Sequence, residues 1–125
     1  MASLLAQMQS APSRPSKERM ATYGTRSDGT PKGPGYFGEI PNRDKPSQFS
    51  TELSGEATVD GKTLLFPLLV PTLTRKEIES LVRGKVGPSE LDMIYKKAID
   101  HALMRKKQGK DPFAGEDDFL PLPQE

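Results

Sequence analysis

The longest regular pattern in the chain is an alternation of apolar or small residues with polar ones from Gln48 to Val59. Such a period of two predicts a β-strand with one buried face. Asp60-Gly61 supplies the two positive-φ positions of a type I′ turn, so we expect a return strand that runs to Val70. In this register apolar residues oppose apolar or small residues: Ala57 with Leu64, Gly55 with Phe66, Leu53 with Leu68 and Thr51 with Val70.

Two helices are predicted after this hairpin, over about residues 75–83 and 89–108. Thr74 and Glu77 match the capping box that opens a helix, and Gly84 stands where a C-cap is expected. Pro88-Ser89 is expected to open the second helix, which reaches Gly109. Apolar residues recur at helical spacing in both segments: Ile78, Leu81 and Val82 in the first, and Leu91, Ile94, Tyr95, Ala98 and Ala102 in the second.

These elements predict an α+β fold in which a small β-hairpin or short antiparallel sheet packs against two helices. A strand from residues 36 to 46 would extend the sheet. The hairpin, over about residues 48–70, and both helices fall in a module from residue 35 to 109. Residues 1–34 and 110–125 have no helical or alternating period and many prolines, so we predict long extended arms at both ends, the second one acidic.

Composition limits the chain to one small core. Of its 125 residues 34% are hydrophobic, below the roughly 45 to 50% of ordinary globular proteins. The longest apolar run, Leu64 to Val70, contains Pro67 and falls short of the roughly 18 residues that a membrane span needs, so no membrane partner is expected. The segment from Met1 to Leu5 lacks the basic and apolar regions of a secretory signal, which predicts a soluble protein made in a cytoplasm.

Charge is distributed unevenly between the ends. Residues 1–34 hold five basic and two acidic groups (+3), residues 35–109 twelve and ten (+2), and residues 110–125 one and five (−4). Ends of opposite sign would allow the head of one copy to meet the tail of the next in a ring. Solvated termini are the alternative that charge alone leaves open.

Spaced apolar residues in and beside the arms are the predicted partner-binding residues. Prolines hold such segments extended at low entropic cost, which suits binding along a groove of a neighbouring protein. For the apolar residues of the first arm, a frayed end without function remains the alternative. The candidates are Leu4, Leu5 and Met8 in the first arm, Tyr36 and Phe37 just after it, and Phe113, Phe119 and Leu122 in the tail.

The residues that carry common chemistry form no recognisable site. Gly33 to Gly38 fits the G-x-G-x-x-G pattern, but no strand precedes it and Pro41 stands where a helix should run, so we interpret its glycines as turn positions. Cysteine is absent, and the carboxylates show neither a Ca²⁺ loop nor a hydrolase pair. We predict no enzyme activity, no metal and no cofactor, and the modest basic charge around the aromatics does not favour nucleic acid.

His101 is the single imidazole, and its helical neighbours are Lys97 and Arg105. Cations on both sides lower its proton affinity, and we interpret it as a structural histidine that is either hydrogen-bonded or exposed. Arg105, Lys106 and Lys107 are interpreted as solvated cations that favour the negative end of the helix dipole; a phosphate contact is the less favoured alternative.

Several short motifs follow one another between Thr25 and Ala114. None of them is specific alone, and their order makes the pattern. They are Ser27 to Thr30 with Lys32-Gly33, Gly35 to Gly38, Ser50 to Ser54, Phe66 to Thr74 with Glu77-Ile78, Lys97 to Ala102 with Arg105, and Gly109 with Pro112 to Ala114.

In this order the motifs resemble a small family of proteins and domains encoded among the virion genes of tailed bacteriophages. The resemblance implies a virion component assembled in a host bacterial cytoplasm, and it supplies no catalytic residues. We therefore expect a structural protein of the tail or head-to-tail region that fastens larger virion proteins, of tail, portal or adaptor type, and copies of itself. The alternatives are a capsid cement protein and a non-virion phage accessory protein that binds nucleic acid or a host protein.

Overall fold

The structure, a computed structural model, describes residues 15–124 and is an α+β fold. Its strands form two separate two-stranded antiparallel sheets, and its two longer helices follow them in the chain. The helices are α1 (Lys17–Met20), α2 (Arg75–Arg83) and α3 (Pro88–Lys107), with a 3₁₀ turn at Ala21–Tyr23; the strands are β1 (Ile40–Pro41), β2 (Phe49–Ser50), β3 (Ser54–Val59) and β4 (Lys62–Pro67).

The hairpin of β3 and β4 has the predicted register. Gly55 pairs with Phe66 and Ala57 with Leu64, and both turn residues have positive φ, 51° at Asp60 and 77° at Gly61. Beyond the ladder, Leu68 N still donates to Leu53 O at 2.6 Å, as the same register requires. The apolar face of the hairpin packs on α3, where the Phe66 and Tyr95 rings meet edge to face at 5.9 Å.

The prediction of a single strand from Gln48 to Val59 is wrong. Residues 51–53 separate two strands there, β2 and β3, which belong to different sheets. The predicted pair of Thr51 with Val70 is also absent, since Val70 N donates to Leu68 O instead. At the interruption Glu52 is buried and accepts hydrogen bonds from Arg26 and from Gly33 N. β2 pairs with β1, so the strand expected within residues 36–46 exists but belongs to a separate sheet.

Both longer helices begin and end for local reasons. The capping box of α2 is present: Thr74 Oγ1 accepts from Glu77 N, and Glu77 Oε1 accepts from Thr74 N. Gly84 has φ 71° and closes the helix with the two hydrogen bonds of a Schellman motif. α3 begins at Pro88 with Gly87 as its N-cap, as expected from Pro88-Ser89, because proline is favoured in the first helical turn.

The core lies between the hairpin, α2, α3 and the loop that precedes β1. Gly55 lies in tight packing at its centre, because an added Cβ would lie 3.1 Å from side-chain atoms of Phe66, Leu68 and Tyr95. The largest side chains that are fully buried there are Phe66, Leu69, Val70, Ile78 and Ile94.

Residues 15–34 are held to the core, so the described part of the first arm is not an extended arm. Arg26 binds Glu52 through two hydrogen bonds of 2.8 Å. Arg19 makes the same kind of pair with Glu39, which also accepts from the Tyr23 hydroxyl at 2.6 Å. Residues 1–14 lie outside the described residues.

The acidic tail has no helix or strand between residues 110 and 124, yet it lies along the chain's own core. We call these residues the C-terminal strap. Arg105 binds its first part, Leu120 N donates to Tyr36 O at 2.7 Å, and Arg75 donates to Pro123 O at 3.3 Å. The predicted extended arm at this end is therefore not confirmed, because these contacts join residues 110–124 to three other parts of the chain.

Candidate interaction surface

The solvent-facing side of α3 exposes apolar side chains. Met93 is 54% exposed, Met104 44% and Leu103 39%. Met93 and Met104 are eleven residues apart, which is close to three helical turns, so they share a face about 16 Å apart along the axis. We call these three residues the α3 apolar face.

The opposite side of α3 fixes the position of this face. Ile94, Ala98 and Ala102 have no exposed surface, and they pack in the core. A helix anchored over more than two turns presents its outer side chains with little backbone freedom. Little ordering entropy is therefore lost in the backbone when a partner binds there.

Charged residues are interspersed with the side chains of the α3 apolar face. Lys96, Lys107, Asp92 and Asp100 are all exposed on the same helix. Leu103 also reaches a groove beside the hairpin, whose other lining residues include Val59, Leu64 and Lys106. Methionine adapts its shape to a partner and is enriched at protein interfaces, so this surface has the composition of an interaction site.

Most of the residues predicted to bind partners lie elsewhere. Tyr36 is 3% exposed, and Phe37 and Phe113 are each 8% exposed, so these three rings belong to the chain's own interior. The expectation that they are accessible is corrected, because all three side chains are buried within the chain itself. Phe119 and Leu122 are half-buried in the strap, and Leu122 packs on the core. The remaining candidates, Leu4, Leu5 and Met8, lie outside the described residues.

The α3 apolar face is not among the predicted partner-binding residues, although the sequence contains a signal for it. The buried stripe of the helix accounts for Ile94, Ala98 and Ala102. Met93 and Met104 lie about 120 to 140° around the helix from the centre of that stripe. Apolar residues off the buried stripe of an amphipathic helix are the pattern that points to an exposed apolar site.

His101 and Arg105 also differ from their expected roles. His101 is 7% exposed and its Nδ1 has no hydrogen-bond partner in the described structure, so it is neither hydrogen-bonded there nor exposed. Burial lowers the pKa of His101, and the nearby guanidinium of Arg105 lowers it further. Arg105 is buried rather than solvated, because it donates to Asp111 O, Phe113 O and Asp118 Oδ2.

The glycine-rich motif is a turn, as predicted. Gly35 and Gly38 have φ of 69° and 73°, and a side chain at Gly35 would overlap the carbonyl oxygen of Thr51. This close approach places Tyr36 and Phe37 in the core. The glycines therefore serve backbone packing.

The part of the chain that the structure describes contains no group of three or more His, Asp or Glu side chains that could hold a metal ion. Between residues 15 and 124, no helix combines the length and apolar character of a membrane span. No protein-family model matches the chain, and neither a curated protein nor a solved structure is significantly similar to it.

Proposed function

We propose that this protein is a structural component of a tailed-bacteriophage virion, in the tail or head-to-tail region, that binds other virion proteins and copies of itself. The observation that carries the proposal is the α3 apolar face. Met93, Leu103 and Met104 are exposed on a helix whose other side is fixed in the core. This face supports a binding role, and the resemblance supports the phage context.

The motifs that carry the resemblance explain how the chain folds. Phe66 to Thr74 supply core residues, and Pro112 to Ala114 fasten the strap. Met93, Leu103 and Met104 are not among those motifs. Binding of partners is therefore assigned to side chains that the motifs do not include.

The α3 apolar face is proposed to bind a neighbouring virion protein, and residues 1–14 provide a second attachment. Leu4, Leu5 and Met8 stand at the spacing of one helical turn, and the segment precedes the anchored Arg19. Fixing a segment costs roughly 1 to 2 kcal/mol of backbone entropy per residue, so several apolar contacts are needed to offset it. Two linked attachments bind more tightly than either one alone, because the second event is intramolecular.

Mass spectrometry of purified particles tests the virion assignment. The protein is expected at a fixed copy number per particle that survives washing in high salt. Its absence from particles, with normal abundance in infected cells, would contradict the assignment and favour the accessory-protein alternative. Labelling the protein in intact particles distinguishes a tail or neck position from the capsid surface that a cement protein occupies.

The double variant Met93→Gln/Met104→Gln tests the binding surface in particles. Glutamine has nearly the same length and helix propensity as methionine, so apolar contact is lost while the helix is retained. Incorporation should fall at least tenfold with an unchanged melting temperature. The matched control is Lys45→Gln/Lys76→Gln, two exposed positions outside α3, which should incorporate normally. Normal incorporation of the methionine variant would exclude the α3 apolar face as the attachment.

A further inference from the structure

The buried imidazole of His101 lies beneath the attachment of the C-terminal strap. The edge of one ring faces the other where His101 meets Tyr36, with centroids 5.3 Å apart. The Tyr36 hydroxyl donates to Pro112 O at 2.8 Å, and Tyr36 O accepts from Leu120 N at 2.7 Å. The residue that packs on the histidine therefore holds the strap at two points.

Arg105 makes the other contacts of this attachment, one helical turn after His101. Its Nε donates to Asp111 O at 2.8 Å, and its Nη2 donates to Phe113 O at 3.1 Å and to Asp118 Oδ2 at 3.0 Å. The guanidinium also lies over the Tyr36 ring, 5.6 Å from its centre. His101, Tyr36 and Arg105 thus form one buried cluster under the strap.

Burial and the neighbouring cation disfavour protonation of His101 in the closed structure. Burial lowers the pKa of His101 most, Arg105 on the same helix lowers it further, and the Asp118 carboxylate on the strap opposes them with a smaller effect. Tyr36 stays neutral because burial raises its pKa to about 12. One turn earlier, Lys97 is already bound to Glu77 at 2.8 Å. A protonated Nδ1 would be a buried donor without an acceptor among the described residues, beside a second cation.

We propose that His101 is an acid-sensitive latch: its protonation releases the C-terminal strap and uncovers the core surface beneath residues 111–122. Opening gives the imidazolium access to water and separates it from Arg105. The surface that is uncovered is apolar, since Ala114 and Leu122 pack on the core when the strap is closed. The latch does not depend on the virion assignment.

The direction of the pH effect follows from the depressed pKa of His101. The open state takes up a proton near the ordinary histidine value of about 6.5, and the closed state only at lower pH. The closed state is therefore fully favoured above that value and loses stability as the pH falls through it. Until the closed-state pKa is reached, the open-to-closed ratio rises by up to about tenfold per pH unit.

Hydrogen exchange of the full chain between pH 7.5 and 4.5 tests the latch, with rates corrected for the intrinsic pH dependence. Amides of the strap should open more as the pH falls below 6.5, while amides of β3 and β4 keep their protection. His101→Phe keeps an aromatic ring against Tyr36 and takes up no proton, so its strap should show no such rise. The proposal is overturned if the wild-type strap opens equally at all pH values. It is also overturned if strap opening still increases below pH 6.5 in His101→Phe.

The variant Asp118→Asn distinguishes the effect of the His101 imidazole on strap opening from that of the Asp118 carboxylate. The pKa of Asp118 is lowered by its hydrogen bond from Arg105, so Asp118 is ionised throughout this pH range. The variant should open the strap more at every pH and keep the rise below 6.5. Loss of the rise in Asp118→Asn alone would assign the effect to Asp118 and overturn the role of His101.

Nuclear magnetic resonance of the wild-type chain supplies a test that does not require a stable variant. His101 is the only histidine, so its imidazole signals are unambiguous. They should titrate below 6.5, and strap resonances should shift with the same midpoint. A histidine that titrates at or above 6.5, or a strap that shifts with another midpoint, would overturn the latch.

Discussion

The hairpin and the C-terminal strap cover the same core by different means. The hairpin is a backbone ladder whose partners are at most 13 residues apart, Ser54 with Pro67. The strap has no ladder and depends on Arg105, Tyr36 and Arg75. Apart from the backbone bond from Leu120 N to Tyr36 O, these hydrogen bonds are donated by side chains that are in place only when the rest of the chain has folded. We therefore expect the strap to open first and the hairpin to open only with the whole molecule.

Phe66→Ala should have the largest effect, because it removes a fully buried ring from β4. The expected loss is about 3 to 5 kcal/mol in the free energy of unfolding, measured by urea titration. Hairpin and strap should lose protection together. Thr63→Ala, at an exposed position of the same strand, is the control and should change stability by no more than about 0.5 kcal/mol. A small effect at Phe66 would refute the hairpin as the centre of the core.

Gly35→Ala should have the next largest effect on stability. Gly35 lies against Thr51, which shortly precedes the hairpin, and it is followed by Tyr36, which holds the strap. A Cβ there meets the Thr51 carbonyl oxygen, and φ is 69°. We expect a loss on the order of 3 kcal/mol, from positive φ and from overlap. Gly38→Ala has nearly the same φ, 73°, with open space around the added atom, and should cost about 1 kcal/mol. Equal losses for the two variants would show that the close approach is unimportant.

Arg105→Met separates the stability of the strap from that of the hairpin most directly. It removes three hydrogen bonds to the strap and leaves the hairpin intact. The expected loss is about 2 to 3 kcal/mol. Hydrogen exchange should show an unprotected strap and a protected hairpin. Lys106→Met, at the exposed neighbouring position, should leave both regions unchanged. Retained strap protection in Arg105→Met would contradict the assignment of this contact as its main attachment.

Glu39→Gln should have the smallest effect, because the pair with Arg19 lies at the surface. We expect a loss below about 1 kcal/mol near pH 7. Hydrogen bonds from Arg19 and Tyr23 lower the pKa of Glu39 to about 2. The difference from wild type should therefore be complete above about pH 4.5 and vanish as the pH falls toward 2, measured by denaturant titration. Glu18→Gln, exposed on α1, is the control; a difference that persists at pH 2 would refute the ion pair as its cause.

The candidate surface was only partly accessible to sequence reasoning. The apolar residues of the tail were recognised, but Phe113 is buried in its own chain. Composition cannot tell an anchor for a partner from an anchor for the chain's own core, because both require an apolar side chain in a proline-rich segment. The α3 apolar face has a periodic signal, but only the buried positions of the helix show which side faces water.

The sequence by itself determined the elements whose causes are local. Alternation and Asp60-Gly61 specify the register of the hairpin, and Thr74, Glu77 and Gly84 specify the ends of α2. Turn conformation and capping depend on neighbours within a few residues, so they can be deduced from the order of residues alone.

Only the tertiary structure decided the break at residues 51–53, the burial of His101 and the course of the strap. Each depends on partners far away in the chain: Glu52 on Arg26, His101 on Tyr36, and Leu120 on Tyr36. A buried polar group is stable only beside its partner, and a local pattern does not show which distant residue that will be. The physical reason is that the hairpin is stabilised by neighbours in sequence, whereas the strap is stabilised by neighbours that folding itself brings together.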